Sequence, residues 1–393
     1  MRGTCPATLR GPSREPDTLA WYRQWPDERK ATLKAGISPE REAEVLAALK
    51  ARAFSVQRCA LVIYHWPFVI PQWSCAFGSD LGHSEARQVT VMQGVFSVLA
   101  TPFDTSGAVD VQGIARVVDA FIEAGVTGFT ALGVTSEVTR LSERERGVVL
   151  DAVLGHVAGR VPVVVGTTAE GLRTCLEYSR QAKAAGASAV MISPPRAPKL
   201  ISASVRAHYA EVADQVDVPL IIQDYPPVSG FFMEPALLAA IVREIPSART
   251  IKLEDPPTPR KTALILEAAG DVPVSIFGGL GGVYLLEELL AGGAGAMTGF
   301  AYPEALVGIV ARYQSGDVEG AADLFYRVVP LMRFEFQEGI GMAIRKEVLK
   351  RRGLIGDAGT RAPGARLDPG TLAALDRLLA WTRVQEGCAW ISG

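Results

Sequence analysis

Residues 161–193 read VPVVVGTTAEGLRTCLEYSRQAKAAGASAVMIS. Val161 to Gly166 and Ala189 to Ser193 are near-continuous apolar runs, and Leu172 to Ala185 between them has the spacing of an amphipathic helix. A short run that is apolar on both faces suits a strand covered on both faces, and an intervening helix returns the chain so that the second strand lies parallel to the first. The pattern repeats in both directions. Further apolar runs occupy Val95 to Ala100, Gly128 to Leu132, Pro219 to Gln223, Thr250 to Leu253, Val274 to Phe277 and Gly295 to Thr298. Helical patterns such as Val111 to Glu123, Glu143 to Val157 and Ala203 to Gln215 separate them. Eight such units in roughly 220 residues predict an α/β fold, a (β/α)8 TIM barrel. A doubly wound open sheet is the alternative, but the first strand-to-helix turn, TPFDTSGAVD, has no GxGxxG and the chain has no P-loop.

Beyond the eighth unit, Val318 to Phe336, Ile340 to Arg351 and Pro369 to Val384 read as helices. The expected organisation is a barrel over 92–316, a helical C-terminal extension over 317–393, and an irregular N-terminal extension over 1–91. Within that extension only Pro39 to Ala53 has a helical pattern, with Pro at its first turn and acidic residues early. It is read either as an upstream segment without fixed structure, with Met92 the natural start, or as a small accessory segment. A chain beginning at Met92 is expected to fold and retain its activity.

Composition narrows the function classes. The chain has 393 residues, 48% of them hydrophobic, with Lys+Arg 40 against Asp+Glu 42 and a net charge of -2. This balance argues against a nucleic-acid surface or a polybasic membrane anchor. The longest apolar run, Cys59 to Pro71, is shorter than the roughly 20 residues of a membrane span. Five scattered cysteines form neither a zinc pattern nor a disulfide framework, and a cytoplasmic location is expected. No His/Asp/Glu set at the strand ends suggests a metal; His156 and His208 both fall in helical patterns.

In a barrel, chemistry belongs at the C-terminal ends of strands. Lys252 lies in Thr250-Ile251-Lys252-Leu253-Glu254, where burial would disfavour its charged form and leave an amine able to attack a carbonyl. The bland reading is an ion pair with Glu254, which shares its side of the strand. Gly133-Val134-Thr135-Ser136-Glu137 can present amides and hydroxyls to a carboxylate, or can simply cap a turn. After the fifth strand, Gln223 or Tyr225 in Gln223-Asp224-Tyr225-Pro226-Pro227-Val228-Ser229-Gly230 could reach inward, Tyr225 as a proton shuttle. Turn chemistry explains the same stretch. Gly278, in the glycine-rich run after the seventh strand, allows close approach of a ligand to the backbone.

From Gly94 to Leu354 the chain resembles the dihydrodipicolinate synthase / N-acetylneuraminate lyase family of pyruvate-handling class I aldolases. The resemblance rests on GVFSVLATPF at 94–103, the Gly133 to Glu137 turn with Leu141-Ser142, the Lys252 strand, and GGAGAM at 292–297, which ends in Met297. It implies a TIM barrel with a helical C-terminal extension, assembled as a homotetramer or homodimer. It also implies an imine between Lys252 and a 2-keto acid with no metal or organic cofactor, and a keto-acid carboxylate held by Thr135 and its neighbouring amides. Ser136, Gln223, Gly278 and Met297 are the further candidates for substrate contact.

Departures from the family pattern bear on substrate. Val134 and Ser136 replace a hydroxyl residue and a glycine of the usual turn; Gln223 falls at the usual Tyr position and Val228 at the usual Arg position. Ser193-Pro194-Pro195-Arg196 stands where the synthase has an aromatic pair. The loss of a proton relay and of a carboxylate clamp argues against condensation with aspartate semialdehyde. The sequence therefore predicts a Schiff-base lyase, with dehydration of a 2-keto-3-deoxy sugar acid favoured and Glu254 or Tyr225 as acid/base. The alternatives are 4-hydroxy-tetrahydrodipicolinate synthase proper and a non-catalytic keto-acid-binding barrel.

Overall fold

A computed structural model describes residues 92–384. The expectations for 1–91, including the helix at Pro39 to Ala53 and the alternative start, lie outside the described residues. Eight parallel strands close into one barrel in sequence order: β1 (Gly94–Val98), β2 (Gly128–Ala131), β3 (Val163–Gly166), β4 (Ala189–Ile192), β5 (Leu220–Asp224), β6 (Thr250–Leu253), β7 (Ser275–Gly278) and β8 (Gly295–Thr298), with β8 pairing β1. This is the TIM barrel expected from the apolar repeats. The open-sheet alternative is excluded by the β8–β1 pairing.

The connecting helices are α1 (Val111–Glu123), α2 (Glu143–Val157), α3 (Leu172–Ala184), α4 (Ser202–Gln215), the short α5 (Pro226–Ser229), α6 (Pro235–Glu244), α7 (Thr258–Ala269), α8 (Leu285–Leu290) and α9 (Pro303–Gln314). Their starts are marked in the sequence. Asp110 accepts a hydrogen bond from the Gly113 amide to cap α1, and Ser142 with Glu145 forms a capping box on α2. Proline stands in the first turn of α6, α7 and α9, where its missing N–H costs no helical bond. The C-terminal extension comprises α10 (Val318–Glu335), α11 (Gly341–Arg351) and α12 (Pro369–Thr382), within one or two residues of the predicted ends. No described helix is long and apolar enough to cross a membrane.

Side chains divide the barrel into two apolar layers. Phe96, Val98, Val164, Ala189, Met191, Ile221, Phe277 and Met297 fill the interior, with the Phe96 and Phe277 rings edge to face at 5.4 Å. Their sequence neighbours, such as Val95, Val163, Val165, Ile222, Ile251 and Ile276, pack outward beneath the helices. This strict alternation sets the site, because it sends every second residue of a strand toward the axis. Ile251 and Leu253 face out, so Lys252 faces in.

Candidate active site

Registers on the three adjacent strands place Gln223 opposite Lys252, and Lys252 opposite Phe277. Lys252 is 3% exposed and its Nζ lies 3.2 Å from Glu254 Oε2. The same carboxylate oxygen accepts a hydrogen bond from Gln223 Nε2 at 2.7 Å, and Gln223 Oε1 accepts one from the Ser193 hydroxyl at 3.0 Å. An unbroken polar line, Ser193–Gln223–Glu254–Lys252, therefore crosses the mouths of β4, β5 and β6 at the end of the apolar barrel interior.

Burial pushes the Glu254 pKa up from its usual range, against the opposing pull of the Lys252 ammonium and the Gln223 amide. Tyr225 follows at the end of β5, half-buried, and its phenol is pushed up by burial and then by the negative charge of Glu254. The phenol consequently holds its proton at neutral pH. Room for Glu254 comes from the backbone: a Cβ on Gly279 would lie 2.7 Å from the Glu254 Cδ. Gly278 serves the opposite face, because its missing side chain leaves space for the Glu288 carboxylate on α8.

Behind this wall lie more charges than the sequence reading anticipated. Glu288 is buried and accepts a hydrogen bond from Thr258 at 2.6 Å, and burial pushes its pKa to about 7. Asp224 faces outward, paired with Lys261 Nζ at 2.6 Å, which also contacts Asp255 at 2.7 Å. Burial drives the Asp224 pKa to about 6 against the pull of Lys261. Among the described residues Lys252 is thus one of three buried lysines, with Lys261 and Lys346. Lys261 and Lys346 sit on amphipathic helices, where a charge ordinarily signals a solvated face.

The turn after β2 lies on the opposite wall, four strands from β6. It is built as two successive 3-10 turns, Val134–Ser136 and Val138–Arg140, joined by Glu137 in the left-handed region at φ 57°. The Ser136 hydroxyl is used internally: it donates to Leu99 O at 2.6 Å and accepts from the Gly133 amide at 3.2 Å. Thr135 Oγ1 differs, being buried with no hydrogen-bond partner, as is the inward Thr130 Oγ1. A buried hydroxyl without a partner costs free energy unless something else binds it, which makes Thr135 Oγ1 the candidate ligand contact of this turn.

Lys252, Glu254, Gln223 and Tyr225 are therefore brought together on one wall; Thr135 and Ser136 lie in the turn on the other, with the Ser136 hydroxyl already bonded within it. Gly278 stands beside the first group, making space on the helix side, and Met297 is packed among the interior apolar side chains. The sequence reading treated Ser193 only as a missing aromatic, yet its hydroxyl begins the polar line. The signal was present, since Ala189 and Met191 face inward and the period of two continues to position 193. Among the described residues no three His, Cys, Asp or Glu side chains cluster to hold a metal ion.

Comparison with known proteins agrees with this geometry. The model of the dihydrodipicolinate synthetase family matches residues 91–380. The chain is 32% identical to an L-2-keto-3-deoxyarabonate dehydratase of Azospirillum brasilense over 72% of this chain and 92% of that protein. It is 31% identical to a 4-hydroxy-tetrahydrodipicolinate synthase of Methanopyrus kandleri over 63% of this chain and 82% of that one. Among solved structures, a dihydrodipicolinate synthase from Rhodopseudomonas palustris superposes with a TM-score of 0.70 at 34% identity, covering 74% of this chain and 97% of its own. YagE, an E. coli K12 prophage protein of the dihydrodipicolinic acid synthase family solved in complex with pyruvate, gives 0.71 at 25% identity, covering 75% and 100%. The chain belongs to the dihydrodipicolinate synthase family and is a lyase of the class I aldolase type.

Proposed function

We propose that the protein dehydrates a 2-keto-3-deoxy sugar acid through an imine on Lys252, with no external cofactor. The observation that carries this reading is the Ser193–Gln223–Glu254–Lys252 line, in which Gln223, at the family's usual tyrosine position, holds a carboxylate beside the amine. The dehydratase relative from Azospirillum brasilense supports the substrate class, and the pyruvate complex of YagE supports a 2-keto acid head group.

The steps follow from what each group can do. Lys252 Nζ attacks the C2 carbonyl carbon, and loss of that oxygen as water gives the imine. The imine acidifies the C3 hydrogens, and Glu254, its proton affinity raised by burial, takes one of them. The resulting enamine expels the C4 hydroxyl, which leaves as water once Tyr225, which remains protonated, supplies a proton. Hydrolysis of the remaining imine then frees the amine. Thr135 Oγ1 and the neighbouring amides hold the C1 carboxylate on the opposite wall, so the substrate spans the cup from β2 to β6. Gln223 fixes the Glu254 carboxylate by its 2.7 Å hydrogen bond.

In this reading the barrel, 92–316, carries the chemistry in the cytoplasm and works as a homotetramer or homodimer, as the resemblance implies. The test is borohydride reduction in the presence of pyruvate, followed by a turnover screen of 2-keto-3-deoxy sugar acids against pyruvate plus aspartate semialdehyde. A reduced adduct on Lys252 with turnover confined to the sugar acids is expected. Turnover with aspartate semialdehyde instead would assign a synthase, and absence of any adduct would leave only a keto-acid-binding barrel.

A further inference from the structure

The C-terminal extension reaches back to the mouth of the barrel beside the turn after β2, as well as at the loops after β7 and β8. Lys346, on α11 and fully buried, pairs through its Nζ with Glu137 Oε1 and donates to Gly359 O at 3.0 Å. The second Glu137 oxygen accepts a hydrogen bond from the Arg361 amide at 2.9 Å and lies 3.1 Å from Arg140 Nη1. The Phe103 ring, in the loop after β1, lies under the cations of both Lys346 and Arg361, each 4.2 Å from its centroid. Arg361 also pairs with Glu145 at 2.6 Å. Two mouth loops are thereby tied to α11 and to the segment that follows it.

Glu137 is two residues from Thr135 and holds the left-handed conformation that separates the two 3-10 turns. A non-glycine residue there is strained and persists only where its surroundings over-determine it. Its surroundings here are the extension's ammonium and amide, together with Arg140 of the turn itself. We propose that Lys346, with Glu137, is a positioning residue for substrate: the buried pair from the C-terminal extension sets the turn that presents Thr135 and its amides to the keto-acid carboxylate. This rests on the reading of Thr135 given above, and no contact between Lys346 and substrate is required.

The tie acts on carboxylate binding and leaves the amine wall alone, so its removal should weaken saturation without slowing the bound reaction. The full-length protein is titrated with pyruvate and inactivated with borohydride, which yields a half-saturating concentration and a maximal rate of adduct formation. Three variants are compared: Thr135→Val, the charge-free pair Lys346→Met with Glu137→Leu, and Glu137→Gln. The paired change replaces a buried ion pair by apolar groups and so avoids a lone buried charge; should it fail to fold, Glu137→Gln reads the same quantity.

Both Thr135→Val and the paired variant should raise the half-saturating pyruvate concentration about tenfold, the worth of one hydrogen bond to a charged group. The maximal rate should stay within about twofold, as expected when an interaction common to ground and transition states is lost. A shift for Thr135→Val with none for the paired variant or Glu137→Gln would overturn the positioning role. A paired variant whose maximal rate falls as far as its saturation would overturn it too, because that is general loosening. No shift for Thr135→Val would instead refute the carboxylate reading, and the proposal with it.

Discussion

Lys252 and Lys346 are both buried lysines paired with glutamate, on different walls of one barrel mouth, and their surroundings differ in what is left over. Among the described residues the Lys252 amine has Glu254 as its ion-pair partner at 3.2 Å, and that glutamate is shared with Gln223. Lys346 contacts Glu137, the Gly359 carbonyl and the Phe103 ring, so its donors are consumed. An ammonium can form three hydrogen bonds. One lysine retains capacity to react, while the other has spent its capacity on geometry. Burial of a lysine beside a glutamate therefore does not by itself mark a nucleophile, and the count of satisfied donors is what favours Lys252 for the proposed imine.

The largest expected effect tests that contrast directly. Lys252→Met should abolish the borohydride adduct and lower turnover by at least about a thousandfold, whereas Lys346→Met should still form the adduct at saturating pyruvate. Mass spectrometry of the reduced protein reads both. Next, Glu254→Gln should slow turnover by about 10²- to 10⁴-fold, the range for a lost general base, while the adduct on Lys252 still forms. An unaltered rate would move the base elsewhere.

On stability the ranking inverts. Lys346→Met leaves the Glu137 carboxylate buried without its ammonium and should cost about 3 kcal/mol, the low end for a broken buried pair, because Arg140 and the Arg361 amide remain in contact. Denaturant unfolding measures it. An effect of similar size, but read against pH, concerns Glu288, whose native pKa of about 7 lies above the ordinary value of 4.5. The folded state then binds the proton more tightly than the unfolded state, so stability is full below pH 4.5 and declines as pH rises through about 7. The decline amounts to about 3–4 kcal/mol at most, spread over that window. Glu288→Gln, which can still accept from Thr258, should flatten that slope. An unchanged slope would show that Glu288 is ionised in the native protein.

The barrel was legible because its strands are short, apolar on both faces and separated by helical periods; all eight predicted runs overlap observed strands. Lys252 was legible for the same reason, as a charge in a place where strands carry none. Glu254 followed from the period of two. Lys346 was not, since GMAIRKEVLKR has the look of a solvated helix and its carboxylate partner lies 209 positions earlier. Glu288 in LLEELL is hidden likewise, and its burial depends on the absent side chain of Gly278 across the barrel wall. Ser136 reads as a ligand-facing hydroxyl from its motif, but the structure gives that hydroxyl two backbone partners. Side-chain pairings across long separations carry no local period, and that is the information a linear reading lacks.

The bond between position 137 and the amide of position 361 also orders events during synthesis. Chains are made from the N-terminus at about 5–20 residues per second, and early segments begin to fold while later ones are still being added. The second βα loop and the first strands can therefore assemble well before α11 exists. Until residue 361 has been added, that loop lacks two of the partners of its strained glutamate, Lys346 and the Arg361 amide acting together. A nascent barrel can thus close while the turn proposed to receive the carboxylate still lacks its C-terminal partners, and on that proposal competence to bind arrives as one of the last steps of manufacture.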